Sequence, residues 1–227
     1  MRHPTPIHGH LPAFALLLGA LLAPPVLAGT VSHTGLFTQD DDHFTLDFDL
    51  TGPGQVSMQT LSYGGGTNAA GAAIAAGGFV PTLSLFDDLL GLVALAHGGN
   101  ACGDPGSGQA DPQTHFCWDA GFSQSLGAGH YTLVLTQDGN EPGSTAADPF
   151  SQDGQHDYTA QLTGSPPGST FIDLATGLPR SGQWALDLTV TPRDTGLPEP
   201  ASLALALAGV LLMAGLGRSP GSAAGRR

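Results

Sequence analysis

The stretch "HFTLDFDL", residues His43 to Leu50, alternates Phe44, Leu46, Phe48 and Leu50 with Thr45, Asp47 and Asp49. Period two sends the apolar set to one side of an extended chain and the polar set to the other, as in a half-buried β-strand. The same rhythm recurs outward from it. Val56 and Met58 alternate with Gln55, Ser57 and Gln59. "HYTLVLTQ" (130–137) lines up Tyr131, Leu133 and Leu135, and "QWALDLTV" (183–190) lines up Trp184, Leu186, Leu188 and Val190. "PTLSLFD" (81–87) and "LLGLVALA" (89–96) are shorter, more apolar strands, and "DYTAQL" (157–162) reads as another. Turns rich in Gly, Pro, Asn and Asp separate them, and no internal segment has a convincing amphipathic helical pattern. The chain is expected to be all-β, an antiparallel β-sandwich of jelly-roll type.

Both ends read as addresses. Arg2 and three histidines precede the apolar run "LPAFALLLGALL", and "VLA" ends at Ala28 with small residues, the pattern of a Sec signal peptide over 1–28. The exported domain is then expected over 29–196, and a sorting tail over 197–227. In that tail Ala201 to Leu216 are apolar, followed by Arg218, Arg226 and Arg227. As a helix the run would reach about 24 Å, shorter than a hydrocarbon core of about 30 Å. The arginines would stay on the cytoplasmic side. Pro198-Glu199-Pro200, a short apolar span and a basic end, in that order, resemble the PEP-CTERM sorting signal. The resemblance implies an exosortase-type membrane protease as partner, cutting near the tripeptide, and transient anchoring in the inner membrane. It also implies release to the surface or extracellular matrix of a Gram-negative, exopolysaccharide-making bacterium.

Charge narrows the partners. The 227 residues include no lysine and carry a net charge of −13. Between residues 29 and 197, 18 acidic residues against Arg180 and Arg193 leave −16. So acidic a surface repels nucleic acid and anionic lipid and attracts divalent cations.

The glycine-rich stretch "LSYGGGTNAAGAAIAAGGF" (61–79) could cradle a phosphate, link domains or turn a chain. A Walker loop needs a lysine, which is lacking, and a dinucleotide fingerprint needs glycine where Ala69 stands. Tyr63, Ile74 and Phe79 prefer burial, so the stretch reads as a loop between sandwich strands. "SYGGGTNAAGAAIAAGGFVPTLSLFD", "NACGDPGSGQADPQTHFCWD", "LGAGHYTLVLTQDGN" and "SGQWALDLTV" resemble, in order, a family of PEP-CTERM proteins with a "GGFDP…LxLFD" core. That family is similar to bacterial pre-peptidase C-terminal β-sandwich domains, which implies a secreted, non-catalytic sandwich. This sequence departs from the pattern at Val80, where the family has aspartate.

Chemistry is sparse. Cys102 and Cys117 are the only cysteines, and export makes a disulfide between them the natural reading, with free thiols the alternative. Asp40, Asp41, Asp42, Asp87, Asp138 and Asn140 form acidic clusters at strand ends that could hold calcium, which takes six to eight oxygens. The same residue types are ordinary turn formers. No G-x-S-x-G or H-E-x-x-H pattern occurs, nothing selects a carboxylate pair, and no enzyme is expected. His33, His43, His97, His115, His130 and His156 read as scattered surface residues. Trp184 is expected in the core. Trp118, beside the cysteine loop, either packs on the bridge or stacks on a sugar ring. Arg180 is expected to pair with an aspartate. The expected function is a structural or adhesive exopolysaccharide-associated surface protein; the alternative is a calcium-assisted carbohydrate-binding module, with a hydrolase third.

Overall fold

The structure is a computed structural model that describes residues 29–193. The signal segment 1–28, the Pro198-Glu199-Pro200 motif and the terminal hydrophobic helices expected from sequence lie outside the described residues. Among the described residues no helix is long and apolar enough to cross a membrane.

Ten strands follow in order: β1 (Gly29–Leu36), β2 (Phe44–Leu50), β3 (Gly54–Leu61), β4 (Gly66–Thr67), β5 (Ala73–Ile74), β6 (Pro81–Asp87), β7 (Leu92–His97), β8 (Gly121–Leu126), β9 (Gly129–Gln137) and β10 (Gln183–Pro192). One helix, α1 (Tyr158–Thr163), lies between β9 and β10. Eight strands make two four-stranded antiparallel sheets, ordered β1-β10-β3-β8 and β2-β9-β6-β7. Along the chain each successive strand of these eight crosses to the other sheet, except at the β6–β7 hairpin. That is the jelly-roll winding expected from the alternation. β4 and β5 form a separate small hairpin inside the glycine-rich stretch.

The core follows the period-two reading. Val56 and Met58 of β3 and Leu186 and Leu188 of β10 meet Leu83, Leu85, Leu133 and Leu135 from the facing sheet. Phe44, Leu46 and Phe48 of β2 pack on this cluster from the edge. Trp184 is buried and sits 4.6 Å from Phe44, ring centroid to centroid.

Three elements differ from the sequence pattern. "DYTAQL" enters the short helix α1 rather than a strand. Tyr158 and Ala160 are buried, but Leu162 is 64% exposed, so no inward apolar row exists. The Asp40 carboxylate takes the amide and hydroxyl of Thr159, and Gly164 ends the turn in the left-handed region. Tertiary hydrogen bonding overrides local pattern here. β1 and β8 carry no clean alternation. Both are edge strands whose outward residues, such as Thr30, Ser32, Ser123 and Ser125, are small and polar.

β1 and β10 pair with Gly29 opposite Val190 and Leu36 opposite Gln183. The described chain thus enters and leaves at one end of the sandwich. At the other end lie the loop after Leu61, the start of β6 and the region around Gly182, tied by Phe37 N–H to Gly182 O and Phe79 N–H to Ser181 O.

Candidate functional site

The loop end is built around the glycine-rich stretch. Asp119, fully buried, accepts hydrogen bonds from the amides of Ser62 (2.6 Å), Tyr63 (3.2 Å) and Gly64 (3.0 Å) and from the Thr60 hydroxyl (3.3 Å). Burial pushes its carboxyl up to about 6 against the pull of those donors. The amides of the glycine-rich stretch at Ser62, Tyr63 and Gly64 are therefore held by the protein's own carboxylate and are not free for a phosphate. A Cβ on Gly64 would fall 1.9 Å from the Gln109 carbonyl oxygen, and Gly65 has φ +64°, so both positions require glycine.

Tyr63 carries the next layer. The Arg180 guanidinium carbon lies 3.9 Å from its ring centroid, and its hydroxyl donates to Asp173 Oδ2 at 2.9 Å. The Arg180 side chain is 1% exposed and pairs with Asp111 and Asp173, in keeping with the expected aspartate partner. Despite desolvation, the Thr114 amide and hydroxyl, with Arg180, hold the Asp111 carboxyl below the usual range.

Cys102 and Cys117 are bonded to each other, closing the loop between β7 and β8. Trp118 stacks on Phe116 at 4.2 Å between centroids and lies 5.4 Å from Tyr63. Its ring thus packs on two aromatic side chains, one of which, Phe116, is 40% exposed, rather than on the bridge expected from sequence.

The residues expected around calcium are not gathered. Asp40 is buried and binds Thr159 and the Phe171 amide. Asp41 accepts from the Gly154 amide and pairs with His156 at 2.9 Å. Asp42 caps the turn at Thr38 and Gln39, and Asp87 closes the β6–β7 turn through Leu89 and Gly91. Asn140, buried, accepts the Gln152 amide at 2.8 Å. Asp42 and Asp87 thus act as turn formers, whereas Asp40, Asp41 and Asn140 spend their oxygens clasping segments distant in sequence.

Asp138 has different company. Together with His97 and Glu141 it forms a group whose ligand atoms all lie within 4.8 Å of one another. Burial raises the carboxyls of both Asp138 and Glu141, with His97 pulling the other way. Val80, standing where the resembling family has aspartate, is buried beside this group and accepts the Asp138 amide at 2.8 Å. The sequence pattern placed His97 among scattered surface histidines and left Glu141 unmarked. The available signal was that Glu141 is the one glutamate between residues 29 and 197, three residues beyond Asp138.

The outer face of the β1-β10-β3-β8 sheet is a third feature. Register aligns Thr30, Thr189, Ser57 and Ser123 in one row across its four strands. Their hydroxyls bond in pairs, Thr30 to Thr189 at 2.8 Å and Ser57 to Ser123 at 2.7 Å. Gln59 and Asp187 flank the row, and Ala69 and Pro105-Gly106 wall a groove of about 360 Å³ over it.

No family model matches the chain, and no curated protein matches it. Among solved structures with a coarse likeness, two are described. One is the pre-peptidase C-terminal domain of a collagenase from Bacillus anthracis, 11% identical with a TM-score of 0.32, covering 73% of this chain and 90% of that one. Another is PliG of Salmonella Typhimurium, a periplasmic inhibitor of g-type lysozyme, 9% identical with a TM-score of 0.32, covering 75% of this chain and 95% of that one.

Proposed function

We propose that the chain is an exported, non-catalytic β-sandwich of the cell surface or extracellular matrix. Its tail is processed by an exosortase-type protease, and the domain holds neutral exopolysaccharide on the outer face of the β1-β10-β3-β8 sheet. The observation that carries this reading is the hydroxyl row Thr30–Thr189–Ser57–Ser123 beneath the groove. Strands lie about 4.8 Å apart, so the row spans roughly 14 Å, the reach of two or three linked sugar rings. Hydroxyls that donate and accept suit a ligand whose surface is itself hydroxyl. The groove falls at the low end of small-molecule sites, roughly 300–1,000 Å³. With −16 between residues 29 and 197, an anionic polysaccharide is repelled and a neutral one is not.

Affinity electrophoresis of the purified protein in gels cast with neutral or uronic-acid polysaccharide tests the binding. Retardation by a neutral polymer, abolished by Ser57→Trp, which fills the groove, is the expected result. Equal retardation of the variant, or none of either protein, rejects the face as a binding site. Mass spectrometry of the exported protein tests processing; a mature chain still carrying residues 201–216 overturns the sorting assignment.

A further inference from the structure

The His97, Asp138 and Glu141 group plays no part in polysaccharide binding on the opposite sheet, and its spacing has its own meaning. Three of the other histidines reach carboxylates at hydrogen-bond distance: His43 to Asp153 at 3.0 Å, His130 to Asp49 at 2.9 Å and His156 to Asp41 at 2.9 Å. His97 does not close in this way. Its Nδ1 stands 3.4 Å from Glu141 Oε1 and 3.4 Å from Thr82 Oγ1. A charge-assisted N–H···O bond would contract to about 2.7–2.9 Å. By contrast, two donors held at about 2.0–2.1 Å by one tetrahedral ion stand roughly 3.3–3.4 Å apart.

The fold holds these donors in place. His97 is opposite Thr82 of β6, and Gln137 is opposite Pro81 of the same strand, so β6 sets His97 and Asp138 on its two flanks. The turn after β9 is pinned by the Asn140 amide on Gln137 O, the Thr136 hydroxyl on Asn140 O and the Glu141 amide on Ser151 Oγ. Of the arginines among the described residues, the Arg180 guanidinium pairs with Asp111 and Asp173 and the Arg193 guanidinium reaches Gln55 Oε1 at the opposite end of the sandwich, so neither is paired with Asp138 or Glu141. The side chains of His97 and Glu141 are 43% and 39% exposed, which leaves an entry path from solvent.

We propose that His97, Asp138 and Glu141 bind one divalent first-row transition ion of the zinc type, with water in the fourth position. The imidazole selects against calcium, which takes oxygen ligands in larger number, and favours zinc or a similar borderline ion. Bound there, the ion ties the end of β7 to the turn after β9.

Titration calorimetry on the chelator-stripped protein with zinc chloride, and visible spectroscopy with cobalt chloride, test the site. One saturable zinc site and the absorption bands of tetrahedral cobalt are expected. His97→Ala and Glu141→Gln should each weaken zinc by more than about tenfold, since outer-shell changes alone cost that much. His130→Ala should keep the wild-type affinity. Equal melting temperatures of the metal-free variants and metal-free wild type establish that they fold. Absence of saturable zinc binding, unchanged affinity in His97→Ala, or calcium binding more tightly than zinc would each overturn the proposal.

Discussion

Arg180 lies over the ring of Tyr63, 3.9 Å from guanidinium carbon to centroid, while Asp111 and Asp173 approach its nitrogens at 3.3 and 3.7 Å. One cation thereby joins the glycine-rich stretch, the disulfide loop and the segment before β10. Arg180→Met would keep much of the volume but leave two buried carboxylates unpaired. A loss of about 3–5 kcal/mol is expected, read from urea denaturation midpoints. A loss within about 0.5 kcal/mol, the range of ordinary surface changes, would show that the network is dispensable.

The disulfide closes a loop with a sequence separation of 15. Replacing Cys102 and Cys117 with serine should cost about 3 kcal/mol by chain entropy. The Phe116–Trp118 stack lies within and beside that loop, so the same variant should also alter tryptophan fluorescence before global unfolding.

Asp119 makes stability depend on pH in an unusual direction. Its carboxyl is raised from 3.8 to about 6 in the folded chain, so between these values the folded state binds the proton more tightly than the unfolded state does. Its contribution is fully present below 3.8 and declines as pH rises through about 6. Urea melts across that window should show stability falling with pH, and Asp119→Asn should flatten the slope. The variant also swaps an acceptor for a donor facing backbone amides, at a cost of about 1–3 kcal/mol.

His156 is raised above 6.5 chiefly by its hydrogen bond to Asp41. Its stabilising effect is present below 6.5 and is lost as pH rises through the higher folded value. Ring-proton NMR should place the His156 midpoint above that of the Asp41→Asn variant. Identical midpoints would mean that the pair does not persist in solution.

Strands with one clean apolar face were legible in the sequence because burial on one side leaves a period-two record. Phe44 to Leu50 and Trp184 to Val190 are of this kind, and so is the jelly-roll class they imply. β1 and β8 left no such record: Val31 and Leu36 of β1 are exposed, and in β8 Phe122 and Leu126 reach the core with Gln124 standing between them. The pairing of Arg180 followed from scarcity of cations alone. The grouping of His97 with Glu141 did not, because 44 residues separate them and only the β6 register brings them together. The same blindness applies to Asp40: its partners Thr159 and Phe171 lie more than a hundred residues away, so its acidic run resembled a cation ligand set rather than a clasp.

The pairing of Gly29 with Val190 fixes how the domain is presented. Both chain ends depart from one corner, and β10 runs ten residues from there to the loop end, about 33 Å at strand pitch. Residues 29 and 193, where the described chain begins and ends, therefore share one pole. The disulfide loop, the Arg180 network and His97 lie at the opposite pole of the described domain, about a strand's length away.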